Sequence, residues 1–174
     1  MARETTPAQT TACPGCGLEL PVNETARYDG YYHVSSECWE LYTRVLDKEF
    51  GNILLFRQIH QLTVDTYAVQ HAGGSHKDQS VDLHLAGLYL MMEKNLPCTK
   101  ISRIHQLLSR RVKDWPHFKP PVRRWPLTIR DVRYRGSMQD HIRSVNQWAH
   151  QVWDAWAPLH PQVEDFVSRH LTLP

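Results

Sequence analysis

From Ser35 onward, apolar positions recur at the three-to-four spacing of amphipathic helices. Cys38, Trp39, Leu41, Tyr42, Val45 and Leu46 predict a first helix, with Ser35 or Ser36 as its cap. A second is expected over about 52–71, where Ile53, Phe56, His60, Val64, Tyr67 and His71 share one face and Gly73-Gly74 ends the run. A third covers about 78–94, with Val81, Leu85, Leu88 and Met92 inward, and stops at Asn95-Leu96-Pro97. A fourth opens at Thr99 or Ser102 and carries Ile101, Ile104, Leu107, Leu108 and Val112. Residues 115–127 hold four prolines, which lack the amide donor and clash with a helical turn, so an extended strap is expected there. Thr128 and Asp131 form a capping-box pattern. A strong helix over about 137–156 then stacks His141, Val145, Trp148, Val152 and Trp156, and a short last helix ends near His170.

Before Ser35 the helical period is absent. Residues 1–12 read as a flexible tail, 13–50 as a small module leading into the first helix, and 51–174 as a helical bundle with the strap at 113–127. Within the module, Asp29-Gly30 between aromatic residues is a hairpin signal. The fold class is therefore mostly α, a bundle of about five helices with a small N-terminal module that Cys13, Cys16, His33 and Cys38 mark as treble-clef-like and zinc-binding.

Composition narrows this only slightly. With 174 residues, 41% hydrophobic and 22% charged, the chain suits one domain or a small module fused to one. No apolar run reaches the roughly 18–20 residues of a membrane span, and no signal-peptide core is visible, so a cytoplasmic protein without a membrane partner is expected. The net charge of +2 is small, but residues 100–135 hold eleven Lys and Arg against two Asp, a local balance of +9. A basic segment on an acidic body suits nucleic acid, an anionic small molecule, or docking onto its own domain.

The candidate chemistry lies in two places. Cys13 and Cys16, with two residues between them, and His33 and Cys38, with four between them, have the paired spacing of a structural Zn2+ site. A redox dithiol at Cys13 and Cys16 should lie near a βαβ pattern, which this chain lacks. Cys98 stands apart. The second place is the central hairpin, which sets His60, Asp65, Tyr67, Gln70, His71 and His84 in otherwise apolar helices. Buried polar groups are costly unless paired, hydrogen-bonded or metal-bound. His60 and His71 lie eleven residues apart, roughly 16 Å along a helix, too far to share one metal. Folding at Gly73-Gly74 brings Asp65 level with residue 84, while Asp65 and His60 point to different neighbours.

Three readings stand. A second metal site can combine His84 with Asp65 or His60 and with His141. A histidine oriented by Asp65 can act in acid/base catalysis, with Tyr67 and Gln70 holding substrate. Or these groups simply satisfy one another as structural hydrogen bonds. His105, His117, His150, His160 and His170 read as surface or packing residues. Trp115, Phe118 and Trp125 in the basic strap fit a single-strand nucleic-acid groove, but the favoured reading is a strap laid over the core.

The blocks CPGCG…YYHVSSECWELY, HQLTVDTYAVQHAGG, QSVDLHLAGLYL and HIRSVNQWAHQVWDAW resemble a group of bacterial proteins known as a domain of unknown function. The resemblance covers about residues 13–94 and 137–157, and its HxxTVDxYAVQH motif marks His60, Asp65, Tyr67, Gln70, His71 and His84 as important. The expected function is a small cytoplasmic zinc-binding protein with a His/Asp-lined pocket, a metal-dependent or acid/base enzyme in one version. The alternative is a zinc-stabilised binding module that contacts nucleic acid or protein through residues 100–135.

Overall fold

The computed structural model describes residues 9–28, 30–122, 125–132 and 134–171. Two short strands come first. β1 (Thr10–Ala12) pairs antiparallel with β2 (Glu19–Pro21), with Thr11 opposite Leu20. Thr10–Ala12 was expected in the tail, and it is instead tied down by this ladder. Between the strands, Cys13 N–H donates to Leu18 O (2.9 Å) and Gly17 N–H to Cys13 O (2.8 Å). Gly17 has φ +72°, a conformation that favours glycine, and this closes the knuckle on Cys13 and Cys16. Among the described residues, the hairpin is this knuckle. Asp29, half of the Asp-Gly signal, lies outside the described residues, as do residues 1–8.

Helix α1 (Ser36–Phe50) starts at Ser35, whose Oγ accepts from Cys38 N–H at 3.3 Å. Its buried positions are Cys38, Tyr42, Val45 and Glu49, at helical spacing. Asn52 caps the single turn α2 (Ile53–Leu55), which runs through a π-helical turn (Phe56–His60) into α3 (Gln61–Gln70). The extra residue of the π turn resets the phase of the helix. Ile53 and Phe56, expected to face inward with Tyr67 and His71, are 65% and 39% exposed. Leu55, Ile59 and Leu62 are buried instead. Helix α3 is buried on nearly all sides, so no single stripe describes it.

Gly73 and Gly74, at φ +106° and +54°, turn the chain into α4 (Asp78–Met92), which packs along α3. Helix α5 (Cys98–Arg111) packs on α4 and α3, α6 (Met138–Ala155) on α3, and α7 (His160–His170) on α4. The expected inward face of α6 holds: His141, Val145, Trp148, Val152 and Trp156 are all buried. Thr128 and Asp131 form the capping box of a short 3-10 turn.

The strap lies across the bundle. Trp115 and Phe118 meet Phe166 of α7 at ring separations of 5.8 and 6.3 Å, and Trp125 Nε1 donates to Gly15 O at 3.2 Å. Phe118 and Trp125 are buried. Arg123 and Arg124 lie outside the described residues. Among the described residues, no helix is long and apolar enough to cross a membrane.

Candidate metal centre

Four donors from three segments meet beneath the N-terminal hairpin. Cys13 and Cys16 come from the knuckle, Cys38 from the first turn of α1, and His71 from the C-terminal cap of α3. One donor atom of each lies within 4.8 Å of the others, all four residues are buried, and together they could hold a metal ion. Cys16 Sγ is 3.9 Å and His71 Nε2 3.5 Å from Cys38 Sγ. His71 Nδ1 lies 2.7 Å from the Tyr67 carbonyl oxygen. A bond from Nδ1–H to that carbonyl leaves Nε2 as the free donor facing the thiols, the usual outer-shell device of a ligating histidine.

Three thiols crowded together cannot all ionise without a compensating charge. Hydrogen bonds from Cys16, then Cys38, pull Cys13 far below the ordinary thiol range. The bond with Cys13 in turn pushes Cys16 up to about 12 and raises Cys38 as well. A divalent cation would supply the missing charge.

The fourth member of this cluster is His71, not His33 as the spacing suggested. The His33 backbone is used here and its ring is not: His33 N–H donates to His71 O at 3.3 Å, while the ring packs on Gly74, where a Cβ would collide with Nδ1. Gly15 is confined in the same way. A Cβ there would collide with the His33 carbonyl and lie 2.8 Å from His71 Cδ2.

A second convergence lies on the other side of α3. His84 Nδ1 is 2.7 Å from Asp65 Oδ1, which also accepts from Gln61 Nε2 at 2.8 Å. His105 Nε2, from α5, lies 3.8 Å from Asp65 Oδ2. One donor atom of each residue in this trio is within 4.8 Å of the others. Burial pushes the Asp65 carboxyl up to about 7, brings His84 down to about 4 and lowers His105. So Asp65 and His84 do meet across the Gly73-Gly74 turn, but their third companion is His105 rather than His141.

His141 belongs to a third arrangement. Its Nε2 is 2.8 Å from Glu49 Oε1, which also accepts from Thr63 Oγ1 at 2.6 Å, and His60 Nδ1 is 2.8 Å from Glu49 Oε2. The pairing of His84 with His141 is therefore corrected: they belong to separate networks on different carboxylates. Glu49 is fully buried, and both of its oxygens are satisfied.

Tyr67 and Gln70 are not at the Asp65 trio either. The Tyr67 hydroxyl donates toward Cys38 Sγ at 3.6 Å, and its ring stacks on Tyr42 at 3.8 Å. Gln70 bridges elements, donating to Leu127 O (2.8 Å) and accepting from Trp148 Nε1 (3.1 Å).

Glu49 was absent from the sequence reading and His105 was read there as a surface or packing residue, although periodicity marks both. Glu49 follows Cys38, Tyr42 and Val45 at spacings of four, three and four, and His105 sits between the buried Ile101 and Leu108 at four and three.

Fold and site thus define a mostly helical protein in which an N-terminal hairpin, a first helix and a core helix converge on a buried cluster of three cysteines and one histidine. The chain belongs to a family of unknown function (DUF5946), whose pattern matches residues 11–157 and so spans all three networks. Comparison with curated proteins and with solved structures gave no match.

Proposed function

We propose that the protein binds one zinc ion through Cys13, Cys16, Cys38 and His71, and that this ion is structural. The observation that carries the reading is the convergence of four buried donors from three segments far apart in sequence. Three thiolates and an imidazole are the donors zinc prefers, and a four-ligand site without an open position is the structural rather than the catalytic kind. The ion would fasten a treble-clef-like module (13–50) to the end of α3, where the two-strand hairpin has little core of its own. Thiols kept reduced for metal suit a cytoplasmic setting. Any chemistry the protein performs would lie away from the zinc, at the cluster of Asp65, His84 and His105.

The reading in which residues 100–135 bind nucleic acid or protein rests on charge and on the interleaved aromatic residues, and is less well supported. Two of the rings on which bases would stack, Phe118 and Trp125, are buried. The experiment is metal content per chain on protein purified without chelators. One zinc in the wild type, lost in Cys38→Ser together with thermal stability, is expected. A wild type with no metal, equally stable with and without added zinc, overturns the reading.

A further inference from the structure

We propose that Asp65, His84 and His105 form a second metal site, open to solvent, for a first-row divalent transition-metal ion. The proposal does not rest on the zinc reading, because the two sites share no ligand.

Two imidazoles and one carboxylate are a complete protein ligand set for zinc, iron(II) or manganese sites that keep open coordination positions. Each of the three comes from a different helix: Asp65 from α3, His84 from α4 and His105 from α5. Asp65 is fully buried, and its Oδ2 has no hydrogen-bond partner; neither has His105 Nε2. A buried carboxylate oxygen and a buried ring nitrogen left unpaired are each costly, and they face each other across 3.8 Å. That gap is too long for a hydrogen bond but fits two metal–ligand bonds of about 2.0–2.2 Å each.

The backbone keeps this space clear. Gly87 of α4 passes directly beside it: a Cβ there would collide with Asp65 Oδ2 and lie 2.8 Å from His105 Nε2. A glycine inside a helix is less stable there than alanine, so its placement against two unpaired donor atoms is informative. Outer-shell contacts also orient the ligands. Gln61 holds Asp65 Oδ1, and the His105 ring interacts with the Leu83 backbone. The side chains of His84 and His105 are 13% and 14% exposed, so their rings reach the surface beside the buried donor atoms, and water or an exogenous oxygen or nitrogen ligand entering along them would complete the coordination. The Glu49 network makes the contrast. There both carboxylate oxygens are already taken by His60, His141 and Thr63, and no gap is left.

Titration with Co2+ of protein stripped of metal and kept reduced tests this, because the two sites give different spectra. Ligation by thiolates produces intense near-ultraviolet charge-transfer bands, whereas ligation by two imidazoles and a carboxylate gives only weak visible ligand-field bands. The proposal expects two equivalents in the wild type. It expects loss of the equivalent without thiolate bands in His105→Ala and in His84→Ala, and retention of that equivalent in Cys38→Ser. A wild type that saturates at one equivalent with full thiolate bands overturns it, and so does a second equivalent that survives both histidine substitutions. Should either variant fail to fold, the wild type loaded with one zinc and then titrated with Co2+ decides alone: ligand-field bands without thiolate bands support the site, and no bands overturn it. Loss of the thiolate bands alone would count against the zinc reading and leave this one standing.

Discussion

His71 Nε2 stands 3.5 Å from the Sγ of Cys38, a residue 33 positions earlier, while the nearer His33 gives only its backbone to the same corner. The arrangement follows from where α3 ends. Its last turn presents His71 to the knuckle, and the Tyr67 carbonyl fixes the ring. We therefore predict that His71→Ala loses the bound metal, whereas His33→Ala retains one equivalent per chain. Metal analysis of the two purified variants checks this, and the opposite pattern would return His33 to the ligand set.

Gly87 gives a steric prediction. Replacing it with alanine forces a methyl group against Asp65 Oδ2 and His105 Nε2. Strain of this kind in a packed interior costs roughly 1–3 kcal/mol. Gly87→Ala should therefore lower the melting temperature even though alanine is the better helix former, and leave metal at the cysteine cluster intact. Thermal denaturation with parallel metal analysis tests both parts.

How much of this was legible beforehand depends on the element. Helices α4, α5 and α6 lie where the apolar spacing put them; α5 and α6 each bury one stripe, whereas α4 is enclosed all round from Leu85 to Leu90. The stretch 53–70 did not follow its period, because a π turn shifts the phase and α3 is enclosed by neighbours on most sides. Three of the four clustered donors were readable from cysteine spacing. The fourth was not, because sequence proximity favoured His33 and only the tertiary path of α3 delivers His71. Asp65 and His84 were predictable from the hairpin alone, whereas His105 required knowing that α5 packs on α3 and α4.

Glu49 sets an acid-side prediction. Burial raises its carboxyl, but hydrogen bonds from His141, His60 and Thr63 outweigh this and hold it below the usual glutamate range. A folded-state pKa below the unfolded value of about 4.3 means the group adds stability above that pH and loses it as pH falls through the folded value. Glu49→Gln should therefore be destabilised at neutral pH, by roughly 1–3 kcal/mol. Its deficit against the wild type should shrink below about pH 4. Urea denaturation at pH 7 and in that acid range measures it; a deficit constant with pH would contradict the assignment.

Asp82 makes the opposite case. It is 1% exposed, neither carboxylate oxygen has a hydrogen-bond partner, and burial, helped by Asp78, pushes its carboxyl up to about 8. An unpaired buried carboxyl is a cost that an apolar side chain of similar size removes. Asp82→Leu is expected to raise stability at pH 7 by about 1 kcal/mol or more. Chemical denaturation of the variant tests it, and a fall in stability would show that Asp82 has a partner in solution.

The most direct measurement on the central claim is X-ray absorption at the zinc edge, on protein loaded with one equivalent. The account predicts three sulfur scatterers at about 2.3 Å and one nitrogen at about 2.0 Å, a shell that His33→Ala leaves unchanged. A first shell of nitrogen and oxygen without sulfur would contradict it.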